Sequence, residues 1–358
     1  MHKDSIAVAY AAGGKAEPPS FVGAIGTRQA DLDKMIRRLH GKGSRLVFAY
    51  EAGPCGYGLH RYLSDKKLDC RVVAPSLIPK KPGERVKTNR RDAVTLARLL
   101  RAGELTSVWV PDAVHEAVRD LVRAREAAAE DFRKKRQQLL SFLLRHGRIF
   151  MGHNHWTQAH RRWLAGQKFE RPAQQIVFQD AIDAIDDATT RAQRLEEQLA
   201  LIVPSWSMAP VVAAYQAMRG VSFVVAVTFA AEIGDVRRFD NARQVTAFVG
   251  LVPSERSTGE SVRRGGLTLA GNRRARRALI EAAWTYRYPA RVSKVLQTRI
   301  EGLPKAVREI AWKAQIRLCA RYRKLIAHGK KKPVAVAAIA REIAAFLWAI
   351  ARHVAPAA

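Results

Sequence analysis

RLVFAYE at residues 45–51, GYGLHRYLSDKKL at 56–68, CRVVAP at 70–75 and RRDAVTLARLLRAG at 90–103 alternate short apolar runs with segments of helical spacing. A short run of aliphatic, β-branched and aromatic residues bounded by turn signals reads as a strand. The charged segments between, with apolar residues three and four apart, read as helices. Gly103 closes the last of them. Two strands separated by such a helix predict a parallel βαβ unit, and so an α/β domain. Glu51 then stands at the carboxyl end of its strand, the end of an open α/β sheet where ligands gather.

Upstream, SIAVAY (5–10) and FVGAI (21–25) have strand character and are joined by the Gly/Pro-rich AAGGKAEPPS. Residues 28–40 carry Leu32, Met35, Ile36 and Leu39 on one helical face. Downstream the pattern turns wholly helical from Asp112 to about Arg148. A second helical stripe runs through Ile182, Ile185, Thr189, Ala192, Leu195, Leu199 and Ile202, which fits an antiparallel hairpin or a dimerising coiled coil. Trp156, Trp163 and Pro172 mark the reversal between the stripes, and Pro204 ends the region. A second globular unit starts near Ala209. The organisation expected is an α/β domain over 1–111, a helical coiled-coil segment over 112–204 and a mostly helical domain over 205–358, α/β plus all-α in class.

The chain has 358 residues, 62 Lys plus Arg against 32 Asp plus Glu, and a formal charge of +30. With 48% apolar and 8% aromatic residues it can bury a core, which argues against wholesale disorder. So much positive charge on a foldable chain calls for a polyanionic partner, nucleic acid first and an anionic membrane surface second, and argues against a small-molecule enzyme without one. Cys55, Cys70 and Cys319 lack CxxC spacing and read as buried apolar residues of a reducing cytosol. Pro333 to Val354 is Ala-rich but interrupted by Arg341, Glu342 and Arg352, so an amphipathic C-terminal helix is expected rather than a membrane span. The expected protein is cytoplasmic and nucleoid-associated, with no membrane partner.

Two constellations carry chemistry. The first is Glu51 with KTNRRDA (87–93), where Asn89 and Asp92 lie three apart on one helix face. A strand-end carboxylate plus oxygen ligands at that spacing suits Mg²⁺, with Lys87, Arg90 and Arg91 as phosphate binders. The alternative is a solvated helix start with Asp92 near the positive helix end. The second is GLVPSERSTGESVRRGGLTLAGNRRARRALIEAAW (250–284), a hydroxyl-rich turn, a Gly-rich basic stretch and a helix. A serine held among arginines can attack a phosphodiester, with Arg263, Arg264, Arg273, Arg274, Arg276 and Arg277 available to bind nucleic-acid phosphate. The alternative is a polar loop that only docks on phosphate. Residues 256–332 hold 21 Lys/Arg against 4 Glu and no Asp, so +17 of the charge sits there as a binding footprint. QAMRGVSFVVAV (216–227) has a helix–Gly–helix look that fits either a phosphate contact or a structural helical hairpin. His153, His155 and His160 have no Cys or acid near enough to complete a metal site and read as exposed or stacking histidines.

Together KTNRRDAVTLARLLRAGEL (87–105), WVP (109–111), RF (238–239), GLVPSE (250–255), STGE (257–260), GG (265–266) and GNRRARRALIEAAW (271–284) resemble the DEDD-type insertion-sequence transposases, in order and over about residues 2–290. The resemblance implies an N-terminal RuvC-like (RNase H-fold) domain with a mixed sheet, joined through a helical coiled coil to a C-terminal serine domain. It implies a transposase and site-specific DNA recombinase with Mg²⁺ at Glu51, Asn89 and Asp92, and with Ser257 as the nucleophile of a covalent phosphoserine link to DNA. Ser254 and Ser261 match the family position less well. It further implies donor and target DNA as partners, bridged by an element-encoded guide (bridge) RNA, and homodimers joining into a homotetramer.

Two positions depart from the family pattern. The family's first acid precedes an HK dipeptide, here His2-Lys3 directly after Met1, so that Asp and its strand are absent from this sequence, and Asp4 lies past HK. Asn89 stands in place of the third acid. Losing a central strand is expected to expose two sheet edges and apolar core, costing on the order of several kcal/mol. A start codon assigned too late, or a decayed copy of the element, would account for it. Two other readings remain beside the recombinase: an inactive nucleic-acid-binding remnant, and a RuvC-type metal-dependent junction nuclease in which the serine has no part.

Overall fold

In the computed structural model, residues 3–14, 17–40, 45–79 and 88–354 are described here. The chain divides into two compact units, 1–110 and 111–358. The helical segment 112–204 and the region 205–358 therefore fall in one unit.

In the first unit β1 (Ile6–Tyr10) and β2 (Ser20–Ile25) form an antiparallel ladder with an irregularity between Val8 and Ala9. Helix α1 (Gln29–His40) follows and buries Leu32 and Met35. Then β3 (Val47–Glu51), α2 (Gly58–Asp65) and β4 (Asp69–Val73) form the parallel βαβ unit that the apolar runs predict, with Glu51 opposite Val73. Helix α3 (Asn89–Arg101) is capped by Thr88, whose hydroxyl accepts from the Arg91 amide at 3.2 Å. It packs against β1, β2 and β3. The single mixed sheet expected from the resemblance is divided here into two ladders. Among the described residues β1 pairs with β2 and β3 with β4, which leaves one edge of β1 and of β3 without a strand partner.

The second unit opens with α4 (Ala113–Arg145), whose N-terminus Asp112 caps by accepting from the His115 amide at 2.7 Å. After α5 (Gln158–Ala165), Pro172 starts α6 (Pro172–Ile202), where its missing N–H costs nothing. Leu139, Phe142 and Leu143 near the end of α4 share a buried cluster with Phe178 and Ile185 from the first half of α6. Arg125 near the start of α4 meets Glu196 near the end of α6 at 2.8 Å. The pair is thus an antiparallel hairpin. His160 is buried at its turn, stacked on Trp163 at 5.6 Å, and its Nδ1 accepts the Trp156 amide at 3.2 Å, so this histidine is a packing residue.

The rest is a helical core: α7 (Ala209–Tyr215), α8 (Phe223–Ile233) and α9 (Ala242–Phe248), a hairpin of β5 (Pro253–Glu255) and β6 (Arg264–Leu267), α10 (Arg273–Ala283), α11 (Lys294–Ile300), α12 (Lys305–Ala327) and α13 (Lys332–Ala351). Helix α13 is long and apolar enough by length and composition to cross a membrane. Where an amphipathic C-terminal helix is expected, α13 is a core helix, packed against α7, α9, α10 and α12 with Ile339, Ile343, Leu347 and Ile350 fully buried. Its few charges fit at the edge of this packing, Glu342 binding Arg317 at 2.7 Å and Arg321 at 2.6 Å. Cys70 and Cys319 are buried and Cys55 half-buried, all three with free thiols, and burial pushes the Cys70 thiol up to about 12.

Candidate active site and nucleic-acid interface

In the first unit the chemistry-bearing residues lie on two elements. Glu51 is the last residue of β3; Asn89 and Asp92 share the opening turn of α3. The two elements are joined by packing, since Leu96 and Leu99 of α3 belong to a cluster with Ala49 of β3 and Val73 of β4. Asp92 is four and seven residues before Leu96 and Leu99 and so lies on the face α3 turns to the strands. Asp92 and Glu51 are half-buried and Asn89 is exposed. Arg90 lies over the Phe21 ring at 5.4 Å, and Lys87 lies outside the described residues. Among the described residues no three His, Cys, Asp or Glu side chains cluster as a metal site. The donor set of two carboxylates and an amide oxygen still suits Mg²⁺, which is commonly held by one or two carboxylates with water completing the shell.

In the second unit the serine-rich stretch is a β-hairpin rather than an irregular loop. Pro253 pairs with Leu267 and Glu255 with Arg264. The ladder continues outward through Arg256 N to Arg263 O at 2.9 Å and a Thr258–Ser261 bridge. Alternate residues of an extended strand share a face, which places Ser257 beside Glu255. The Ser257 hydroxyl donates to Glu255 Oε1 at 2.8 Å, and Arg264 Nε lies 3.5 Å from Glu255 Oε2. Ser254 has a different task, donating to Gly266 O at 3.0 Å across the hairpin. In the sequence, the period-two spacing of Glu255 to Ser257 is the signal that points to this residue.

The hairpin is anchored through Asn272, the N-cap of α10. Asn272 Oδ1 accepts from the Ala275 amide at 3.0 Å while Nδ2 donates to Glu232 Oε2 at 2.7 Å. Glu232 is only 4% exposed and is clasped by Arg123 of α4 through Nε at 2.7 Å and Nη2 at 2.9 Å. Burial alone would raise the Glu232 pKa, but the hydrogen bonds from Arg123 and Asn272 outweigh it and hold the carboxyl below its ordinary value. Just before the cap, Gly271 has φ +93°, and a Cβ there would meet Phe248 O at 2.1 Å.

The six arginines of this stretch divide by partner. Arg276 Nη1 donates to Val249 O at 2.8 Å, so it ties α10 to the start of the hairpin. Arg274 and Arg277 pair with Glu126 of α4 at 2.5 and 3.7 Å. Arg263, Arg264 and Arg273 are exposed. The RF pair also belongs to the fold: Arg238 Nη2 donates to Ile233 O at 2.9 Å and its guanidinium covers Phe248 at 4.6 Å.

An α/β unit carrying carboxylates is thus followed by a helical unit that displays a serine, a carboxylate and arginines on one hairpin. The family comparisons agree. A profile described as transposase, of the IS110 DEDD type, matches residues 2–147, and one described as transposase of the IS116/IS110/IS902 family matches residues 213–297. The y4qE protein of Sinorhizobium fredii (strain NBRC 101917 / NGR234) is 52% identical over 347 residues, 97% of this chain and 86% of that protein. The transposase for insertion sequence element IS1533 of Leptospira borgpetersenii is 30% identical over 335 residues, 92% of this chain and 96% of that protein. The chain belongs to the IS110 family of DEDD transposases.

Proposed function

We propose that this transposase is a site-specific recombinase of its insertion element, that Ser257 is its nucleophile, and that Glu255 takes the serine proton. The observation that carries the reading is the 2.8 Å hydrogen bond from Ser257 to Glu255 on an arginine-bearing hairpin. As the Ser257 oxygen bonds to phosphorus, its proton passes to Glu255 and the bridging bond from phosphorus to a deoxyribose oxygen breaks. The departing sugar oxygen takes up a proton and leaves as a hydroxyl. Attack by a sugar hydroxyl on the phosphoserine reverses the exchange and reseals a strand without ATP. Arg263, Arg264 and Arg273 supply charge for the phosphate oxygens. Glu51, Asp92 and Asn89 would hold Mg²⁺, which when bound neutralises phosphate charge. Donor and target DNA are the substrates, an element-encoded guide RNA pairs with both, and dimers joined in a tetramer hold two strands at once.

Reconstituted recombination between donor and target plasmids tests the reading. It is expected to need the guide RNA, to be redirected when the pairing segment of that RNA is changed, and to stop in Ser257→Ala. Recombination that is independent of RNA, or that persists without Ser257, contradicts it. A second reading has one observation in its favour, the neutral Asn89 where the family carries an acid. On that reading the chain binds nucleic acid but does not cleave it, and no product forms with any RNA.

A further inference from the structure

We infer that a second phosphate-binding site lies outside the serine hairpin, in a cavity of about 220 Å³ between the α7–α8 turn and the start of α11, and that it takes a backbone phosphate of duplex DNA. The inference rests on the reading of the chain as a DNA recombinase. Arg219, Arg291 and Arg299 line this cavity with Ser293, and no carboxylate does. Arg219 is fixed by donating to Pro289 O at 2.7 Å. Among the described residues Arg291 and Arg299 have no carboxylate within ion-pair distance, so a concave site carries guanidinium charge that the fold does not neutralise. Ser293 Oγ accepts from the Leu296 amide at 3.2 Å and keeps its own proton to donate.

The walls are fixed before any ligand arrives. Gln315, 1% exposed, donates to Arg291 O at 2.7 Å. At Gly220 a Cβ would fall 2.4 Å from Ala282 O, so the turn is seated on α10. The cavity is several times the ~30 Å³ share of a water molecule and admits a tetrahedral phosphate. Arginines contributed by different segments suit its several oxygens. Gly220 meets α10 near its C-terminal end, whereas Arg273 opens that helix; its 11 residues separate the two footprints by about 16 Å. A duplex with a major groove ~12 Å wide can present phosphates to both.

The test is DNA binding by the full chain over a series of salt concentrations, comparing wild type, Arg291→Gln/Arg299→Gln and a control pair on exposed α6 positions, Arg191→Gln/Arg194→Gln. Loss of one phosphate contact is expected to flatten the log–log slope by about 0.9 in the cavity variant, equally on specific and random duplexes. The control pair is expected to leave the slope unchanged, and Arg291→Lys/Arg299→Lys to restore most of it, which also shows that the variants fold. A slope unchanged in the cavity variant, or changed equally by the control pair, overturns the site. So does a change seen only on RNA, or calorimetric binding of inorganic phosphate that the variant abolishes while its DNA slope stays intact. A wild-type protein that fails to bind DNA at all overturns the recombinase reading, and this site with it.

Discussion

Asn272 and Glu232 are joined at 2.7 Å, and through that bond the first turn of the basic helix α10 is fastened to a buried carboxylate that Arg123 of α4 neutralises. One asparagine therefore does two things: it caps α10 and links the hairpin's exit to the long helical arm. Removing Arg123 is expected to be the harsher change. Breaking a buried pair costs about 3–5 kcal/mol, and the lower end applies because the Arg123 side chain is 39% exposed. Asn272→Ala is expected to cost about 1 kcal/mol for the lost cap. Urea unfolding of the two variants against wild type reads both values, and equal stability of Arg123→Ala and wild type would refute the arrangement.

The same pair sets a pH dependence. The folded-state pKa of Glu232 is depressed below its value of 4.5, so its stabilisation is present above that pH and is lost as pH falls through the lower folded value. Wild-type stability is expected to drop as pH is lowered past about 4.5, with a shallower dependence in Glu232→Gln. Parallel curves for the two proteins would contradict the assignment.

Glu255→Gln keeps the hairpin geometry and removes the proton acceptor. General-base catalysis contributes about 100-fold or more, so recombination is expected to slow by that factor while DNA binding is preserved. An unchanged rate would leave Glu255 as a hairpin contact only.

Gly271→Ala places a Cβ 2.1 Å from Phe248 O on a backbone with φ +93°. A left-handed strain of this kind costs on the order of 1–3 kcal/mol before the clash is counted. A lowered unfolding midpoint is expected, together with weaker DNA binding as the α10 arginines lose register. A midpoint equal to wild type would show that the junction gives way freely.

Much of this was legible in the sequence, because the first unit and the hairpin of long helices are written in local periodicity. RLVFAYE and CRVVAP became the parallel pair, and Asp112 became the cap of α4. The central role of α13 was not legible. Arg341 and Glu342 suggested a solvent face, and only the tertiary packing shows that Ile339, Ile343, Leu347 and Ile350 are buried while Glu342 meets Arg317 and Arg321 at the helix edge. Nor could spacing divide the arginines. Arg274 and Arg277 find Glu126 about 150 residues away in sequence, and Arg276 finds a carbonyl, through the packing of α10 on α8 and α13 rather than through any local pattern. Glu255 was hidden among the hydroxyl residues of SERSTGES; its relation to Ser257 emerges once the stretch is known to be extended.

The most direct measurement is to mix the protein with guide RNA and recombination-site DNA, quench in denaturant, and map the protein–DNA adduct by mass spectrometry. The account predicts a nucleotide attached through phosphate to the peptide carrying Ser257, reduced in Glu255→Gln and absent in Ser257→Ala. An adduct of undiminished yield in Ser257→Ala, or cleaved DNA with no adduct at all, would contradict it.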